Sequence, residues 1–130
     1  MGFFTKDASG PQDGLAPLSR DRITACLEAR GFNFGIDDDG DVGGVWDGHL
    51  FYFFVLGQSG EYLQSRGRWN RVLGVYAEHT VDYEHGVSDQ QVDLHLACSI
   101  TTGLQLFEHL DESYPEQAAA AKAQQEQEGE

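Results

Sequence analysis

The side chains able to do chemistry are few and poorly spaced for it. Asp37-Asp38-Asp39-Gly40-Asp41 has the acidic look of a calcium loop. Aligning Gly40 with that loop's invariant glycine puts Gly35 at the first ligand position and Trp46 where a bidentate Glu is required. Only Asp37 and Asp39 then fit, so the string reads as a hairpin turn with solvated carboxylates. His79, Asp82 and His85 are metal-ligand types, but on a strand His79 and Asp82 point to opposite faces, and no Cys pair lies at ligand spacing. His49 beside Asp47 reads as a turn histidine, exposed or pairing a carboxylate. Cys26 and Cys98 have no neighbouring His or cation in sequence to lower a thiol pKa, and each falls in an apolar helical stripe, which suits a reduced, buried cysteine. No phosphate-cradling glycine loop, nucleophile elbow or paired catalytic carboxylates occur. No cofactor and no metal is expected. An enzyme would have to assemble its site from long-range contacts, and Asp37, Asp47, His49 and His79 are the residues for such a metal-dependent or hydrolytic alternative.

Composition narrows the field further. The 130 residues make one domain. Eight Lys+Arg against 22 Asp+Glu leave a formal charge of -14. That balance argues against nucleic acid and anionic membranes as partners, where cations supply most of the affinity. No stretch approaches the roughly 18 consecutive apolar residues of a membrane span. The start, Met1-Gly2-Phe3-Phe4-Thr5-Lys6, lacks the apolar run of a signal peptide, and Lys6 breaks the myristoylation pattern, so a cytoplasmic protein is expected.

The elements that would position these groups are legible. Residues 1–17 read as a flexible leader and 116–130, rich in Ala, Gln and Glu, as an acidic tail fraying into solvent. Between them, 18–115 form the folded unit. Ser19 caps a first helix with Leu18 and Ile23 as a hydrophobic staple, and Gly31 ends it. Ser88 and Gln91 form a capping box for a long helix over 89–113, carrying Val92, Leu96, Ile100, Leu104, Phe107 and Leu110 on one side until Pro115 stops it. Gly103 in mid-helix predicts close packing. In between the period is two. Asp39-Gly40 and Asp47-Gly48 are two-residue hairpin signals, and Gly57-Gln58-Ser59-Gly60 is a looser turn. They imply strands near 32–38, 41–46, 49–56, 61–69 and 73–84.

Pairing outward from those turns divides the side chains into two faces. One, with Phe32, Phe34, Ile36, Val45, Leu50, Tyr52, Phe54, Leu63 and Trp69, is expected to lie under both helices. The other collects Trp46, Phe51, Phe53, Val55, Tyr62, Arg66 and Arg68, besides Asn33, Asp37, Val42, His49 and Gln64. Ala77 and Val81 should extend the core, leaving Glu78, Asp82 and Glu84 to face the two arginines. Such an aromatic and arginine-bearing face is too apolar for solvent and has the composition of interface centres. Self-burial and a homodimer are equally weighted explanations, with a foreign partner third.

The run from Asp37 to Phe54 (Asp-Asp-Asp-Gly-Asp-Val-Gly-Gly-Val-Trp-Asp-Gly-His-Leu-Phe-Tyr-Phe-Phe) resembles actinobacterial members of the YbjN-like domain family. Gln64-Ser65-Arg66-Gly67-Arg68-Trp69, the segment from Val81 to Val87, and Leu104-Gln105-Leu106-Phe107-Glu108 match as well. The resemblance implies a type III secretion chaperone-like fold, often dimeric, a regulatory label in sensory transduction, and no catalytic residues to carry over. One departure stands out. In the family pattern a helix and a further strand follow the Gly-x-Trp segment, whereas here Trp69-Asn70-Arg71 runs almost directly into Val72-Leu73-Gly74-Val75-Tyr76. Either the chain has lost that unit or a segment is omitted from the sequence, the second being the favoured reading; an omission would leave a break in Cα spacing within 69–75.

The expectation is therefore an α+β domain: a mostly antiparallel meander covered on one face by an N-terminal and a long C-terminal helix. Its expected role is a non-enzymatic protein–protein interaction module, chaperone-like or regulatory. Its partner is a second copy, an unidentified protein, or both, bound through the aromatic–arginine face or the long helix.

Overall fold

A computed structural model describes residues 14–70 and 74–128. Its elements run α1 (Arg20–Ala29), β1 (Gly35–Ile36), β2 (Val42–Trp46), β3 (His49–Leu56), β4 (Tyr62–Arg68), β5 (Tyr76–Asp82), α2 (Asp89–Ser113) and α3 (Pro115–Glu128). The strands form one antiparallel sheet in the order β1-β2-β3-β4-β5. The architecture is the α+β meander that the sequence implies.

Capping chemistry starts the helices where expected. The Ser19 side chain accepts from the Arg22 N–H, and Ser88 and Gln91 complete a reciprocal capping box. Gly31 leaves α1 at φ 75. Arg30 fastens α1 to α2 through a two-pronged ion pair with Asp93, and Arg22 does so through Asp89 at 2.9 Å. Two expectations about the ends need correction. Ala16 exchanges two backbone hydrogen bonds with Val87, at 3.2 and 2.9 Å, and Leu18 is buried, so the last part of the leader is tied down. Residues 1–13 lie outside the described residues. The tail to Glu128 is helical rather than frayed, because Pro115 suits a first helical position, Ala, Gln and Glu favour the helix, and Ala118 packs on the core.

The face assignment is corrected by register. Asp47-Gly48 makes the tight two-residue turn, with φ 50 and 82, and β2 pairs with β3 as expected. Asp39-Gly40 does not. Only Gly40 has positive φ, Asp37 bonds Asp41, and Ile36 opposes Val42, so the loop holds one residue more than a two-residue turn. The β3–β4 connection repeats the device: Gly60 sits at φ 70, and Leu56 opposes Tyr62. An extra residue closing on a left-handed glycine slips the pairing by one, and a slip of one exchanges faces.

The helices consequently cover Val42, Trp46, Phe51, Phe53, Val55, Leu63 and Trp69. Phe51 and Phe53 are each 1% exposed. Leu63 and Trp69 are core as expected, and Phe32 and Phe34 pack against it. Val45, Leu50, Tyr52 and Phe54, assigned to the core by sequence, lie on the other side of the sheet.

Candidate functional site

Opposite residues in an antiparallel ladder share a face. The side of the sheet turned away from the helices therefore carries Val45, Leu50, Tyr52, Phe54, Tyr62, Gln64, Arg66, Arg68, Tyr76, Glu78, Thr80 and Asp82. Val45 is 61% exposed and Tyr76 41%. Tyr52 and Phe54 stack with centroids 5.6 Å apart. The Arg66 guanidinium lies 4.0 Å above the Tyr76 ring, with Nε 2.9 Å from Glu78 Oε2, and Gln64 donates to Thr80 Oγ1 at 3.0 Å. The cation–π contact and the ion pair fix the guanidinium in the plane of the patch, where each is worth little alone in water.

Of the seven residues assigned to a partner surface, Trp46, Phe51, Phe53 and Val55 are claimed by the chain's own helices. Trp46 contacts Phe32, Phe51 and Phe53 edge-on. Only Tyr62, Arg66 and Arg68 remain on the open face. Arg66 does face Glu78, as the sequence implies. Tyr52 and Phe54 were missed there, and the signal lay in Gly40 and Gly60, each closing its turn in the left-handed conformation. The patch survives the correction with different aromatics.

Of the residues proposed for an enzymatic site, Asp47 and His49 come together, while Asp37 and His79 lie elsewhere. Asp37 sits in the β1–β2 turn, where its Oδ1 accepts the N–H groups of Asp39 and Asp41, both at 2.9 Å. The carboxylates of Asp37, Asp39 and Asp41 lie within 4.8 Å of one another. Asp41's carboxyl is pushed up, first by burial and then by Asp37 and Asp39, while Arg20 opposes the shift and donates to the Gly40 carbonyl at 2.6 Å. This is turn chemistry. Asp47 and His49 share a cleft with Gln105, Glu108 and Asp111 of α2. There His49 lies on the Phe107 ring and touches the Arg68 carbonyl at 3.2 Å. His79 is on β5, away from both, with Nδ1 3.3 Å from Ser99 Oγ. Its ring stacks on His95 at 4.4 Å, and His95 is 4% exposed with neither ring nitrogen hydrogen-bonded. Burial, aided by the neighbouring His79, drops the His95 pKa to about 4. The pair was not anticipated, since the spacing between 79 and 95 follows neither the strand nor the helix period. Cys26 is half-buried, with its thiol pushed up by burial, and Cys98 is exposed.

The described residues thus form an antiparallel sheet backed by helices on one face, with an aromatic patch on the other. The family model described as "Putative bacterial sensory transduction regulator", YbjN, matches residues 19–75 and 74–112, and the chain belongs to that family. The two matched segments meet in the loop where the sequence departs from the family pattern. Residues 71–73, on which the expectation about Cα spacing within 69–75 turns, lie outside the described residues; on either side, Trp69 N–H donates to the Val75 carbonyl at 2.9 Å and β4 and β5 pair as neighbours. No curated protein and no solved structure matches the chain. Among the described residues no helix is long and apolar enough to cross a membrane.

Proposed function

We propose that the chain is a non-enzymatic, cytoplasmic regulatory module that acts by protein–protein contact, chaperone-like in its mode of binding, and that its open sheet face pairs with the same face of a second copy. The observation that carries this reading is the charge of that face. The chain as a whole has a formal charge of -14, yet the open face carries two cations, Arg66 and Arg68, along with two acids, Glu78 opposite Arg66 and Asp82 opposite Tyr62. A balanced patch surrounded by an acidic surface is suited to itself: a two-fold axis brings the arginines of one copy to the acids of the other. Tyr52, Phe54, Tyr62 and Tyr76 supply the rigid aromatic area typical of interface centres. Two such sheets stack about 10 Å apart. The regulatory description of the family supports contact rather than catalysis as the work.

The test is the molar mass in solution of the full chain and of Tyr52→Asp with Arg66→Glu, by light scattering over a concentration series. A dimer that becomes a folded monomer in the double variant is the expected result. A monomer throughout, or a dimer indifferent to both changes, overturns the assignment.

A further inference from the structure

A second surface lies at the edge of the sheet and adjoins the open face along Glu78 and Asp82. Trp69 N–H donates to the Val75 carbonyl at one end of the β4–β5 ladder, and Tyr83 N–H to the Glu61 carbonyl at the other. Alternation in an antiparallel pair then assigns Ala77, His79 and Val81 to the bonds with β4, and turns the N–H and C=O groups of Tyr76, Glu78, Thr80 and Asp82 outward. The opposite edge, β1, has two residues, whereas β5 has seven, without proline. Beside that edge, between β5 and α2, is a half-open cavity of about 350 Å³ floored by Phe51, Ala77 and Gly103 and rimmed by His79, Ser99 and Thr102. The Ser65 hydroxyl, in a residue 2% exposed, borders this cavity with no hydrogen-bond partner among the described residues.

The geometry points to β5 and this cavity as a strand-addition site for an extended segment of another protein, one that alternates basic residues with small β-branched ones. The outward backbone groups would bond the incoming main chain. Side chains on its helix side would enter the cavity, where a Thr offers a methyl to Phe51 and a hydroxyl to Ser65. Side chains on its other side would lie beside Glu78 and Asp82 and so favour Lys or Arg. The same charges disfavour a second copy of β5 as occupant. Antiparallel self-pairing about His79 would set the two imidazoles opposite each other and put Glu78 diagonally beside the Asp82 of the other strand.

The probe is a ten-residue peptide alternating Lys and Val with Thr at the central inward position, titrated into the full chain by fluorescence anisotropy, with amide hydrogen exchange as a second readout. Binding should slow exchange at Glu78 and Thr80. A peptide of the same composition in block order should bind at least tenfold more weakly, as should the alternating peptide to Thr80→Pro, which removes an outward N–H and, of the bonds to β4, only the side-chain one from Gln64. Because that variant could fold poorly, the peptide is also N-methylated: methylation on the edge facing β5 abolishes binding, and methylation on the other edge leaves it unchanged. Tyr52→Asp should bind like the wild type. Equal binding of block and alternating peptides, indifference to the edge methylated, unslowed exchange at Glu78 and Thr80, or loss in Tyr52→Asp would each overturn the assignment.

Discussion

Gly103 of α2 and Phe51 of β3 approach so closely that a Cβ on the glycine would stand 3.0 Å from two ring carbons. A Cβ at Gly67 would come within 2.4 Å of the same ring. The long helix can lie flat on the sheet because both positions lack a side chain, with the phenyl group filling the space that two methyls would need.

Alanine at Gly67 is expected to destabilise the protein by about 1–3 kcal/mol through overpacking, since its Cβ would force the buried Phe51 ring to shift. At Gly103, helix propensity returns about 1 kcal/mol while crowding opposes it, leaving a net loss on the order of 1 kcal/mol. Urea unfolding of the two variants checks both values. An increase in stability for Gly103→Ala would mean the ring is free to move.

The corrected faces predict a sharp contrast between neighbours. Phe53→Ala, emptying a site 1% exposed, should cost about 3–5 kcal/mol. Phe54→Ala, on the open side, should cost about 1 kcal/mol. Equal losses in thermal or denaturant unfolding would return both rings to the interior.

His95 predicts a pH dependence. Its folded pKa, about 4, lies below the ordinary 6.5, so between these values the unfolded chain binds the extra proton. Stability should therefore fall as pH drops from 6.5 towards 4, by something on the order of 2 kcal/mol. His95→Phe should flatten that slope. Asp93, held low by its hydrogen bonds to Arg30, acts in a lower window, below about pH 3.8, where protonation breaks the α1–α2 ion pair. Chemical unfolding at a series of pH values separates the two.

The capping box makes a local prediction. Ser88→Ala removes the acceptor for Gln91 N–H, at 3.1 Å, and should cost about 1 kcal/mol. Exchange of the first-turn amides of α2 should rise with it, while those of β3 stay protected.

What the sequence could disclose divides along the range of the forces involved. Ser88, Gln91 and Gly31 announce helix ends through contacts within four residues, and these were legible. Asp47-Gly48 was legible for the same reason. Gly40 and Gly60 were visible as turn residues, but whether such a glycine ends a two-residue turn or a longer one depends on how the flanking strands meet the helices. That single residue decided the faces of β1–β3, and hence whether Phe51 or Tyr52 looks outward. Arg66 opposite Glu78 was readable because hairpin arithmetic between β4 and β5 held. The His79–His95 stack and the cavity under α2 arise where a strand and a helix far apart in sequence meet, and no local pattern encodes them.

The strictly sequential strand order has a kinetic consequence. Each strand finds its mate across a short loop, so little chain entropy is lost before contacts are gained, and the mean sequence separation of touching residues stays low for a sheet protein. The helices are the late step: α2 must bring Gly103 back over Phe51 across some fifty residues, a closure that rewards a meander already formed. Substitutions at the hairpins should slow refolding, whereas those where α2 docks should chiefly hasten unfolding.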